Sequence, residues 1–395
     1  MKIFLAGQQT LANRGCEALV VSTMAMVSDA EPGVHFYIPS MDMDRDREAL
    51  NRYDFTNYTF VPAPTLPTSI RVWNRAMRYF PSLASKWVPD RMDWHEDAWQ
   101  ALSDSDRVLH IGGDNFSYDY SYAGLVSNTA QIDQIAELGK HQEIWCATVG
   151  PFSSCRPLER RVVEKLRKLQ RISVREPESR KYLEEQGLEA TLTGDPAFSL
   201  PITAPGDREV ANDGPSLVLN VSPYVYRDAE AAVADKALLD FVERRLAEGY
   251  AIQLLSHVNT GTSSDSSVMR KLFAPYIADG RVEFVSEEYS ASQFKGIVAV
   301  ADVVMAVRTH VTIAGFSSAT PTVSIGYSAK APRLNRFLFG HDDYVIETRD
   351  LNSEALENTF QAVLRDKPRI ITTLERKSAG LRADFKALCE SMIAQ

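Results

Sequence analysis

Between Asp302 and Ile325 the chain sets one small-residue helix between two short apolar runs: DVVMAV, the triplet Arg308-Thr309-His310, a helical stretch over 312–318, then Pro321 and TVSI. Runs of this length, apolar throughout, are those of strands buried on both faces. Such strands pair in parallel when a helix carries the chain back between them. This pattern restricts the region to a βαβ unit, and the same rhythm recurs elsewhere. Short strand-like segments at 2–7, 34–38, 107–111, 143–149, 171–174 and 191–193 alternate with helical periodicity at 16–28, 129–138, 158–169 and from Pro177 to Gln186. A stretch rich in Pro, Gly and Asp, 199–215, separates this series from a second one, with strands at 217–221, 251–256 and 282–284 and helices at 229–248 and 291–299. The expectation is an α/β protein with two Rossmann-like domains, residues 1–200 and 214–340, followed by a pair of helices at 353–394. A chain of 395 residues is too long for one ordinary core, which agrees with two domains.

Bulk properties exclude several classes of function. The formal net charge of −9 argues against nucleic-acid binding. Cys16, Cys146, Cys155 and Cys389 have no CxxC spacing and no nearby histidine, and no HExxH or calcium loop occurs, so no metal is expected. The first turn lacks GxGxxG, the dinucleotide fingerprint. The amino terminus MKIFLAG is too short for a signal peptide, and no run of about 18 apolar residues follows. A cytoplasmic protein is expected.

Several strand ends carry residues suited to chemistry. In open α/β sheets ligands bind at the carboxyl ends of strands, and a helix start there favours an anion. Arg308 and His310 occupy such a place, Arg175 follows the strand at 171–174 in the same way, and His257 closes the strand at 251–256. The turn Gly112-Gly113-Asp114-Asn115 ends another strand. Its glycines permit close approach of a ligand, and Asp114 and Asn115 either bind hydroxyls or cap the next helix. Glu17, in a first helical turn behind Asn13 and Gly15, either complements the helix dipole or contacts a substrate hydroxyl. A helix over 68–80 would place Ile70, Trp73, Met77 and Phe80 on one side and Arg71, Arg75 and Arg78 on another. That pattern fits either a helix lying on an anionic membrane or an ordinary amphipathic helix packed on its own domain.

Taken in order, Asn13-Arg14-Gly15-Cys16-Glu17-Ala18, Gly112-Gly113-Asp114-Asn115-Phe116, Ser173-Val174-Arg175-Glu176, Gly194-Asp195-Pro196-Ala197, and Arg308-Thr309-His310 with Tyr327-Ser328-Ala329-Lys330 behind it resemble the polysaccharide pyruvyl transferase family. The glycine turn reads GGDN here, where three glycines are more usual, and Gln8-Gln9 stands where other members often have small residues. The resemblance implies a GT-B-like fold, two Rossmann-like domains facing across a cleft. It also implies phosphoenolpyruvate as donor and a sugar hydroxyl pair of a polysaccharide or lipid-linked glycan as acceptor, with no cofactor. On this reading the amino-terminal domain takes the acceptor and the carboxy-terminal domain the donor. Arg175 and Arg308 would bind the anionic donor, His310 would either supply a proton or bind the phosphate, and Asp114, Glu17 or His257 would accept a proton. Asn13, Asn115 and Lys330 complete the substrate-binding candidates. A lipid-linked acceptor would bring the enzyme to the inner membrane surface. Two other readings remain: a nucleotide-sugar glycosyltransferase or epimerase on the same fold, and a non-catalytic protein that binds a glycan or organises a complex.

Overall fold

The computed structural model describes residues 1–118, 122–205, 214–258 and 264–394. Residues 206–213 of the boundary stretch expected at 199–215 lie outside the described residues. By contacts the chain divides into two compact units whose borders do not follow chain order. The first comprises Met1–Leu11, Leu19–Pro196 and Asp384–Gln395, and the second Ala12–Ala18 and Ala197–Ala383.

The first unit holds a seven-stranded sheet in the order β3-β2-β1-β4-β5-β6-β7. Its strands are β1 (Lys2–Ala6), β2 (His35–Ser40), β3 (Tyr58–Pro62), β4 (Arg107–His110), β5 (His141–Ala147), β6 (Arg171–Val174) and β7 (Thr191–Leu192). Every neighbouring pair is parallel. The strand order reverses between β1 and β4, which pair Leu5 with Leu109, so the crevice outside their carboxyl ends is the switch point of the sheet. The turn Gly112–Asn115 lies there. The Asn115 amide donates to the carbonyls of Gly7 at 3.1 Å and Ile111 at 2.8 Å, tying the end of β1 to that of β4.

The helix Thr68–Tyr79 turns Ile70, Trp73 and Met77 into the core of the first unit, where they pack with Phe116, Val149 and Phe152. Trp73 Nε1 also donates to the Ala84 carbonyl at 2.9 Å. Three of the four residues considered for a membrane face are therefore core residues, and only Phe80 lies outside.

The second unit repeats the architecture with six parallel strands in the order β10-β9-β8-β11-β12-β13. These are β8 (Ser216–Asn220), β9 (Ala251–Leu254), β10 (Val282–Phe284), β11 (Val303–Ala306), β12 (Thr322–Gly326) and β13 (Val345–Glu347). The switch point falls between β8 and β11, which pair Leu219 with Met305. All residues of β8, β11 and β12 are buried, which explains why β11 (VVMA) is apolar throughout and why Val, Leu and Ile recur in β8 and β12. The helix after β11 spans Thr309–Ser317, starting three residues earlier than the sequence suggests. Its start puts Arg308 at the N-cap and His310 inside the first turn. Among the described residues no helix is long and apolar enough to cross a membrane, and no cluster of His, Cys, Asp and Glu is arranged to hold a metal.

Candidate functional site

The switch point of the second unit is built around Arg308. Its backbone N–H donates to Asn220 Oδ1 at 2.9 Å, which locks the end of β11 to the end of β8. Its guanidinium gives two hydrogen bonds to Asp265 Oδ1, from Nε at 2.9 Å and Nη2 at 2.7 Å. Asp265 is fully buried. Its other oxygen accepts from the N–H groups of His257 and Val258 and from Asn220 Nδ2, at 3.1–3.2 Å. Burial pushes the Asp265 carboxyl upward, while the Arg308 charge and these donors pull it back. The Arg308 guanidinium also lies 4.9 Å from the Tyr224 ring centroid, and Tyr224 stacks on Tyr327 with centroids 4.6 Å apart. One carboxylate and one ring thus fix the plane of the cation.

His310 stands one residue inside the helix start, parallel to His257 with ring centroids 6.1 Å apart. His257 is buried, and its pKa falls well below the ordinary histidine value. Desolvation is the main cause, and the charges of His310, Arg308 and Arg14 add to it. Residues 12–18 of the amino terminus complete this cluster. Asn13 forms an isolated bridge with Val258, its side chain accepts from the Gly15 N–H at 2.8 Å, and Arg14 N–H donates to the His257 carbonyl at 3.4 Å. Gly15 lies so close to the His310 ring that a Cβ there would collide with it. Glu17, fully buried, pairs with Arg14 at 2.8 Å and caps the helix Ala291–Ala299 by accepting from the Ala291 N–H at 3.0 Å. Through these contacts Glu17 joins residues 12–18 to the start of the helix Ala291–Ala299.

Two pockets flank the cluster. One, at the carboxyl ends of β11 and β12, is lined by Thr309, Thr312, Tyr327 and Ser328 and reaches Ala331 near the start of the helix Lys330–Phe339. Two helix starts meet this pocket, an arrangement that suits an anion. Lys330 opens the second of them, with its N–H 3.4 Å from Ser328 Oγ. The other pocket is lined by Arg14, His257, His310, Lys295, Leu255 and Phe294.

Lys295 is a buried amine that donates to the carbonyls of Leu200 at 2.8 Å and Phe198 at 3.3 Å. Burial, reinforced by the charge of Arg382, lowers its pKa to about 7. The unfolded amine keeps its ordinary value of about 10.4, so between about pH 7 and pH 10 only the unfolded chain binds this proton. This group therefore makes stability rise with pH across that window, by up to about 1.4 kcal/mol per pH unit. In Lys295→Met this contribution should vanish: melting temperatures should exceed wild type most near pH 6 and converge toward it by about pH 10. Parallel pH profiles of the two proteins would contradict the assignment.

The first unit holds the other candidates. Arg175, at the end of β6, donates to Asp114 Oδ1 at 2.6 Å, Asp195 Oδ2 at 2.7 Å and Thr148 Oγ1 at 2.8 Å. Burial alone would lower its pKa, but the carboxylates of Asp114, Asp195 and Glu176 outweigh that and hold it raised. Gly113 packs against this guanidinium with no room for a Cβ. Arg175, Asp114 and Asp195 thus form one ion-paired group, and Asn115 beside it serves the turn described above.

The candidates therefore fall into two groups. Asp114, Asn115 and Arg175 gather in the first unit, whereas Asn13, Glu17, His257, Arg308, His310 and Lys330 belong to the second. Sequence reasoning did not single out Asp265, Asn220, Tyr224 or Lys295, and Arg14 entered it only within the motif from Asn13 to Ala18. Asp195 lies in a quoted motif, and only its proximity to Arg175 gives it a role.

Comparison with known proteins bears on identity. Comparison with curated proteins finds no match. Among solved structures, the UDP-GlcNAc 2-epimerase of Neisseria meningitidis bound to UDP-GlcNAc has a TM-score of 0.60 and 10% identity, with 100% of each chain covered. The Methanocaldococcus jannaschii UDP-GlcNAc 2-epimerase has a TM-score of 0.55 and 12% identity, covering 91% of this chain and 92% of that one. S. aureus MnaA in its UDP co-structure has a TM-score of 0.55 and 14% identity, over 95% and 90% of the two chains. At such identities the likeness speaks for the fold alone, and that fold is GT-B-like. The sequence model of the family described as "Polysaccharide pyruvyl transferase" matches residues 13–329, from the Asn13 turn to Ala329 behind the RTH helix. The chain belongs to the polysaccharide pyruvyl transferase family.

Proposed function

We propose that the protein transfers the pyruvyl group of phosphoenolpyruvate to two hydroxyls of one sugar in a polysaccharide or lipid-linked glycan, forming a pyruvate ketal and releasing phosphate. The observation that carries this reading is Arg308, held rigid by buried Asp265 at a helix start, with His310 in the first turn behind it. The donor carries a carboxylate and a phosphate, and a fixed guanidinium at a helix start suits both. Lys330 opens the neighbouring helix, which reaches the pocket at Ala331.

The chemistry then follows from the donor. Protonation of the methylene carbon makes it a methyl group and turns C2 into an oxocarbenium-like centre. His310 is our choice of acid, because an imidazolium titrates near neutral pH. The first hydroxyl adds to C2 and loses its proton to a base, phosphate leaves with its bonding pair, and the second hydroxyl closes the ketal as its proton passes to the departing phosphate. Among the three candidate bases, Glu17 is committed to Arg14 and a helix start, and Asp114 to Arg175. His257, neutral through burial and neighbouring cations, is the group in free-base form beside His310. No metal and no cofactor enter this scheme, and the reaction would take place in the cytoplasm.

Incubation with phosphoenolpyruvate and acceptor glycan should release inorganic phosphate and raise the glycan mass by one pyruvic acid less one water. The rival nucleotide-sugar reading draws on the fold shared with an epimerase bound to UDP-GlcNAc. Saturable binding of UDP without phosphate release from phosphoenolpyruvate would favour it. A non-catalytic glycan-binding role predicts neither result.

A further inference from the structure

We propose that the surface formed by the helix Thr68–Tyr79 together with Phe80, Lys86 and Trp87 docks the protein on an anionic lipid bilayer. The inner face of this segment is core: Ile70, Trp73, Met77, Ala84 and Val88 are buried. Its outer face is unusual. Val72 is 60% exposed, Tyr79 65%, Phe80 66% and Trp87 59%, and these are four of the nine large hydrophobic residues exposed among the described residues. Nearly half of the exposed large apolar side chains thus project from one short segment, which solubility alone would disfavour.

The charge of the segment points to the occupant. No Asp or Glu lies between Asp54 and Asp90, whereas Arg71, Arg75, Arg78 and Lys86 do, in a chain of net charge −9. Arg71, Arg75 and Arg78 follow helical spacing and form one exposed stripe beside Val72 and Tyr79. None of these three arginines, nor Lys86, makes an ion pair among the described residues, whereas Arg91 just beyond is paired with Glu137. Arg161 adds a further cation, donating to the Lys86 carbonyl at 3.0 Å.

An anionic bilayer offers what this surface lacks: negative charge for the stripe and an interfacial zone for Tyr, Trp and Phe. A single weak signal gives only marginal binding, and here a basic stripe and an aromatic cluster act together. The proposal does not depend on the pyruvyl-transfer reading, because the test involves neither donor nor acceptor.

The test is flotation of the full chain with vesicles of phosphatidylcholine, with and without phosphatidylglycerol. Wild type should float with the phosphatidylglycerol vesicles at low salt, be released as salt shortens the Debye length, and ignore neutral vesicles. Adding the anionic vesicles should also shift Trp fluorescence to the blue, a shift that Trp87→Ser abolishes. Arg71→Gln, Arg75→Gln and Arg78→Gln combined should weaken partition about 100-fold, from about fivefold for each charge near the surface. Phe80→Ser with Trp87→Ser should weaken it at least about 10-fold. All five side chains are exposed, so unchanged melting curves are expected and identify folded variants. Wild type that ignores anionic vesicles, or partition equal in wild type and both variants, overturns the proposal. Self-association, or binding to an acidic protein without vesicle partition, overturns it equally.

Discussion

Replacing Arg308 with alanine is expected to lower kcat/KM for the donor at least ~10³-fold and the melting temperature by about 10 °C. The activity loss follows from the donor's two anionic groups, which the scheme neutralises through this guanidinium and the helix start behind it. The stability loss follows from Asp265. Fully buried, it would keep its N–H donors but lose its counter-charge. Breaking a buried ion pair from one side costs about 3–5 kcal/mol, because the remaining charge is stranded away from water. Arg308→Lys separates the two effects. A lysine restores the charge but not two donors in one plane, so melting should recover in part while turnover stays low. An alanine variant with near-wild-type turnover would remove Arg308 from the reaction.

The second large effect is expected at Asp265, which touches no substrate in this account and acts by positioning. Asp265→Ala removes the acceptor of five donors, from Arg308, His257, Val258 and Asn220. It should lower stability by about 3–5 kcal/mol, because the buried Arg308 guanidinium loses this carboxylate and backbone N–H groups lose their acceptor. Asp265→Asn is the more informative variant. Its amide oxygen can still accept, so the protein should fold, but one donor set must face an NH₂ group and the guanidinium loses its fixed plane. The expected signature is a donor KM raised about 10-fold or more, with a smaller change in kcat. A residue that only held the fold together would lower the yield of active protein and leave KM unchanged.

The two sites were legible to different depths. Arg308, His310 and Arg175 could be found because each stands where an apolar run breaks into a helix, a signal carried by neighbouring residues. Their partners could not. Asp265 lies 43 residues before Arg308, at the first turn of the short polar helix Asp265–Leu272, and nothing in DSSVMRKL distinguishes that aspartate from a helix-capping one. Only strand order brings it under β11. The same holds for Asp195 beneath Arg175. Fold class was legible in the parallel strands that are apolar throughout, whereas β3, whose sequence YTFVP mixes polar and apolar residues, and the short β13 gave too weak a period to be recognised. Glu17 marks a different limit. A carboxylate in a first helical turn reads alike as dipole partner or ligand contact, and tertiary contacts to Arg14 and Ala291 decide its surroundings. The helix Thr68–Tyr79 had the right amphipathicity, but the direction of its apolar face came from packing, which sent Trp73 inward and left Val72 and Tyr79 outside.

The proposed mechanism requires Arg308 at the β8/β11 switch point to hold an anionic three-carbon donor. Isothermal titration of phosphoenolpyruvate into wild type and Arg308→Ala tests it most directly. The account predicts saturable heat in the wild type and none in the variant. No binding to wild type, even with acceptor sugars present, or equal binding to both proteins, would contradict it. UDP and GDP would then be the next ligands to titrate.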